Sequence, residues 1–133
     1  MSNTRKLFES FQNNLNEGAA EDNFIKQCEE SGKFDTLQMM EIKDGFEYDL
    51  SIEQVQVYAK PEFDWNQMGK IADGFEEGLS LEQVKLYAKP EFSTSKMYLI
   101  KEGLKRGFSM EQIQSCIKPE FNNNQMYEIG VRF

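Results

Sequence analysis

Seven carboxylates crowd the middle of this chain: Glu41, Asp44, Glu47 and Asp49, then Asp73, Glu76 and Glu77. Carboxylates can do acid–base chemistry in pairs or meet the lysines and arginines of a partner. The rest of the composition narrows these options. There is no histidine, and the two cysteines, Cys28 and Cys116, form no CxxC pair. That removes most zinc-site patterns and every histidine-based nucleophile or general base. Catalysis by the carboxylates alone needs an enclosed site that shifts a pKa, and helix faces made of solvated acids offer none. The expectation is a non-catalytic protein without metal or cofactor.

A smaller basic group, Lys101, Lys105 and Arg106, is the best phosphate or anion contact the sequence offers. The formal net charge is −8, however, with 23 acids against 15 bases. Such a chain is repelled by phosphate backbones, so direct nucleic-acid binding is disfavoured and a basic protein partner is favoured. The opening residues carry no apolar signal stretch and no run is long enough to span a bilayer, which sets a cytoplasmic, non-membrane expectation.

The elements that must position these residues are repeats. Three segments align without gaps, over residues 34–62, 63–91 and 92–120, and a fourth begins at Phe121 and stops at Phe133. Each copy encodes two helices. The first opens at Asp35, Asp64, Ser93 or Asn122, with Gln38, Gln67, Lys96 or Gln125 three residues on, a capping-box pattern in three of the four copies. Met39–Ile42–Phe46 and Met68–Ile71–Phe75 then recur at helical spacing. The second helix opens at Ser51, Ser80 or Ser109, with Gln54, Gln83 or Gln112 closing another box. Lys-Pro-Glu stops it. Gly45, Gly74 and Gly103 inside the first helices suggest close approach of a neighbouring helix, and Gly78, Gly107 and the less tolerant Asp49 suit left-handed turns. Cys116 stands where Tyr58 and Tyr87 stand, which points to the core, not to a reactive thiol.

Helices this short are unstable alone and must stack. The expected fold is all-α, a single domain forming a short solenoid of helix-turn-helix repeats with divergent caps at residues 1–33 and 121–133. The first cap reads as a worn repeat: helices over 4–16 and 20–30, separated by Gly18, with Ala20 in place of the cap serine.

The phrase running Tyr58-Ala-Lys-Pro-Glu-Phe-Asp-Trp-Asn-Gln-Met68, then Ile71, Gly74-Phe75, Gly78-Leu-Ser80 and Glu82-Gln-Val84, resembles a tandem repeat of Gram-positive gut bacteria, their phages and plasmids. The resemblance covers residues 34–129. It implies an all-helical repeat protein of mobile-element origin and transfers no functional residue. Small acidic proteins of such elements are often inhibitors of host defence, anti-CRISPR proteins among them, so a CRISPR-Cas effector is one basic partner that the resemblance suggests.

Residues shared by every copy serve packing, so function is sought where the copies diverge. The first copy holds seven acids and two bases, the second six and three, and the third three and five. On a helical wheel Glu41 and Asp44 point away from the apolar stripe and Glu47 lies on its flank. With Asp49, Asp73, Glu76 and Glu77 they form a strip that is either a solvated face or a docking surface. Trp65, the sole tryptophan, replaces Thr36, Thr94 and Asn123. It is either an exposed binding anchor or packed on Pro61 across the turn. Two other readings remain: a helix-turn-helix DNA binder using Lys101, Lys105 and Arg106, and a structural adaptor. The apolar end at Phe133 makes self-association possible.

Overall fold

The computed structural model describes residues 2–117; within them, positions 2–15 and 17 are described only as helical backbone. The fourth half-copy, with Asn122, Gln125 and Phe133, lies outside the described residues. Among those described the chain is all-helical, without a strand. The elements are α1 (Ser2–Ser31), α2 (Thr36–Glu47), α3 (Ile52–Tyr58), α4 (Trp65–Glu76), α5 (Leu81–Lys85), α6 (Thr94–Lys105) and α7 (Met110–Cys116). None is long and apolar enough to cross a membrane.

Cap chemistry sets these boundaries. Asp35 accepts from the Gln38 amide at 2.8 Å while Gln38 Oε1 accepts from the Asp35 amide at 2.8 Å. The same reciprocal box closes at Asp64–Gln67, Ser51–Gln54, Ser80–Gln83 and Ser109–Gln112. At α6 only half a box forms, because Lys96 offers no acceptor back to Ser93. Each first helix ends in a Schellman turn: the Leu50, Leu79 and Phe108 amides donate to the Gly45, Gly74 and Gly103 carbonyls. The left-handed residue in these turns is Asp49 (φ 65°), Gly78 (φ 95°) or Gly107 (φ 96°).

The first helices form one layer, with α4 packed between α2 and α6; α3 packs on α2 and α4, α5 on α4, α7 on α6 and α1 on α2. The core between them holds Ile42, Val55, Tyr58, Phe63, Met68, Ile71, Val84, Tyr87 and Met97. The helical glycines make room within each copy. A Cβ on Gly45 would overlap the Tyr58 hydroxyl, and one on Gly74 the Tyr87 hydroxyl. Those hydroxyls donate to the Glu41 and Lys70 carbonyls at 3.2 and 3.1 Å. In the third copy Cys116 replaces the tyrosine and is buried, and a larger Phe108, with Ile113, fills the space beside Gly103.

Successive copies are joined by one residue. Gln38 Nε2 donates forward to the Pro61 and Phe63 carbonyls at 3.2 and 2.7 Å. Gln67 Nε2 does the same to Pro90 and Phe92 at 2.9 Å each. A single buried amide thus closes its own cap and staples the next turn, satisfying carbonyls that a proline-containing stop leaves without a helical donor.

The N-terminal region departs from expectation. Helix α1 is continuous through Gly18, so the two-helix reading of residues 4–16 and 20–30 is corrected. Glycine weakens a helix by about 1 kcal/mol but does not end it. Gly18 is followed by Ala19 and Ala20, strong helix formers that lack the cap oxygen of the serines at Ser51 and Ser80. The stop comes at Gly32 (φ 68°), where Ser31 Oγ donates to the Cys28 carbonyl at 2.7 Å.

Candidate protein-docking face

Helices α2 and α4 lie side by side and bring four of the seven acids together. Glu41 is half-buried and leans across to α4, its carboxylate 3.6 Å from where a Cβ on Gly69 would stand. Burial first, then the charges of Asp44, Asp73 and Glu76, raise its pKa above the ordinary glutamate value. Burial, then Asp73, Glu77 and Asp44, raise that of Glu76 as well. A nearby like charge disfavours the ionised form, and it adds here to the effect of burial. Glu41 and Glu76 thus both feel the charges of Asp44 and Asp73 across the α2–α4 junction. Glu47 and Asp49 are exposed and belong to no such group; Asp49 sits at the left-handed turn after α2.

Glu77, the seventh acid, behaves in the opposite way. Its Oε2 lies 2.6 Å from Lys101 Nζ and its Oε1 3.1 Å from Lys105 Nζ. Burial alone would raise its pKa, but the hydrogen bonds from Lys101 and Lys105 hold it below the ordinary value. Both lysines also approach Glu102 Oε1 at 3.7 Å. Lys101 is only 5% exposed. Two of the three expected anion contacts thus spend their charge inside the α4–α6 junction, while Arg106 is exposed at the end of α6.

Equivalent positions at the other junctions show what is withheld from the acidic face. The position of Lys101 is occupied by Lys43 in α2, which reaches back to Glu29 of α1 at 2.8 Å. In α4 it is Ala72, which is buried and carries no charge. Where the α4–α6 junction has Glu77 and Lys105, the α2–α4 junction has Tyr48 and Glu76. The outer junctions are closed by a lysine and the middle one is left open.

Trp65 is the first residue of α4 and 43% exposed. Three further exposed apolar residues, Leu37 and Met40 on α2 and Tyr48 at its C-cap, lie beside the acids. Charge patterning alone does not reveal them. The signal was available: they fall on the side of α2 opposite Met39, Ile42 and Phe46. No family model, curated protein or solved structure matches the chain.

Proposed function

We propose that this chain is a non-catalytic protein-binding module, a short solenoid of helical repeats whose acidic α2–α4 face docks on a basic, nucleic-acid-handling protein. One observation carries this reading. The fold has a device for neutralising that face, a lysine reaching back to the preceding helix, and uses it at Lys43 and Lys101 but not at Ala72. Burial and the charges of Asp44 and Asp73 disfavour the ionised forms of Glu41 and Glu76, a cost that a cationic partner relieves. Carboxylates held on a rigid helical layer can fill a channel built for phosphates. Together with the mobile-element resemblance, this makes a host-defence nuclease complex, a CRISPR-Cas effector in the concrete case, the partner to test first. The alternative of direct DNA binding loses two of its three best phosphate contacts, Lys101 and Lys105, to Glu77 and Glu102.

The test is capture from host lysate by the immobilised chain, beside a variant with Glu41, Asp44, Asp73 and Glu76 changed to lysine. The expected result is one basic nucleic-acid-binding protein, retained by the wild type, lost by the variant and displaced by duplex DNA. Equal retention by both proteins would sink the reading.

A further inference from the structure

Leu37, Met40 and Asp44 of α2 and its C-cap residue Tyr48 follow one another at i, i+3, i+7 and i+11, so they share one side of the helix over about 16 Å. Leu37 is 47% exposed, Met40 52% and Tyr48 66%. Half of the exposed large hydrophobic residues among those described lie in this one row. The equivalent row on α4 is Asn66, Gly69, Asp73 and Glu77, and on α6 it is Ser95, Tyr98, Glu102 and Arg106. An apolar row is therefore peculiar to the first copy and is not demanded by the repeat. Helices α1, α3 and α4 pack on other sides of α2 and leave the row open.

We infer that this row is the seat of an amphipathic, lysine- or arginine-rich helix of the partner protein. The inference rests on the protein-binding function proposed above and names the shape and chemistry of what binds. Three apolar side chains spaced along three helical turns match the anchor spacing of a helix laid lengthwise on another. Glu41 and Glu47 flank the row on its two sides, and Asp44 interrupts it. A helix seated there places its apolar edge on Leu37, Met40 and Tyr48 and its flanking cations on these carboxylates. Charge decides against the other occupants. A second copy of this chain brings a net charge of −8 of its own. An anionic membrane surface or a nucleic acid is repelled in the same way.

The probe is a fluorescently labelled designed helix of about 18 residues, long enough to be helical, with leucine on one face and lysine on the other. A second peptide carries glutamate in place of every lysine. Binding is read by anisotropy for the wild type, for Leu37→Ser/Met40→Ser/Tyr48→Ser, for Glu41→Gln/Asp44→Asn/Glu47→Gln, and for Glu53→Lys on α3 as a control. All these positions are exposed or half-exposed, and thermal melts verify that each variant folds. The lysine peptide should bind the wild type and the control alike. It should bind the serine variant about thirtyfold more weakly and the amide variant more weakly still at low salt, and the glutamate peptide should not bind. Unchanged binding by the serine variant would overturn the inference. If the lysine-reversed face then also lost its lysate partner, the broader protein-binding reading would survive. Wild-type self-association, seen by sedimentation and abolished by the serine substitutions, would overturn the inference in favour of a second copy.

Discussion

The two junctions of the first-helix layer share a backbone and differ in charge. Between α4 and α6, Glu77 is held by Lys101 and Lys105 and titrates below the ordinary glutamate range. Between α2 and α4, the same three positions hold Tyr48, Ala72 and Glu76, and the carboxylates of Glu41 and Glu76 titrate above it. The closed junction pairs its carboxylate with two lysines, whereas burial and neighbouring acids at the open one disfavour ionisation of Glu41 and Glu76. Repeat proteins allow this division because shared positions build the core and divergent ones are free for recognition.

The largest expected effect tests whether the junctions really share a backbone linkage. Gln38→Ala and Gln67→Ala each remove a cap acceptor and two bonds to the next turn. Each should lower unfolding free energy by about 3 kcal/mol in urea titrations. Matched losses support the comparison; a loss at only one junction breaks it. Next comes Glu77→Gln, which takes from the buried Lys101 its nearest partner. It should destabilise by about 1 kcal/mol, a figure already reduced for the exposure of Glu77, and less in high salt. Asp49→Gly relieves the left-handed strain that Gly78 and Gly107 avoid and should add about 0.5 kcal/mol. Because Asp49 lies outside the facing acids, that variant should leave partner binding unchanged.

Glu76→Gln should act with the opposite sign to its neighbour Glu77→Gln, raising stability by about 0.3 kcal/mol at neutral pH. The sign follows from linkage. A carboxylate whose folded pKa is raised binds more protons folded than unfolded, so its ionisation weakens the fold as pH climbs through that folded value. The gain from Glu76→Gln should therefore shrink as pH falls to the ordinary glutamate pKa and vanish below it. The stability given by Glu77 is present above its unfolded pKa and is lost as pH falls through its depressed folded value. Melting curves of both variants across this range would show opposite slopes if the comparison holds.

Local chemistry was legible in the sequence. Cap serines and aspartates, the glutamines three residues on and the proline stops each act within a few residues, and the structure places every described cap where they stand. The internal glycines were legible as points of close approach, though the neighbour is a side chain of the same copy, a tyrosine at Gly45 and Gly74 and Ile113 with Phe108 at Gly103. Gly18 misled because glycine alone, without a turn to follow it, does not stop a helix. For the acids, the helical wheel placed Glu41 and Asp44 off the core stripe but gave no hint of the Glu77 pairing. That contact joins residues on different helices, 28 apart in the case of Lys105. The apolar row on α2 was visible in principle through helical spacing and comparison of copies.

If the open junction is the binding face, transplanting the closed one onto it abolishes partner capture. The variant Tyr48→Glu/Ala72→Lys/Glu76→Lys gives α2–α4 the residues found at α4–α6. Its capture of the basic partner from host lysate is compared with that of the wild type, with melting temperatures measured alongside. A folded variant, at least as stable as the wild type, that no longer retains the partner is the predicted result. A folded variant that retains the partner as well as the wild type would contradict it.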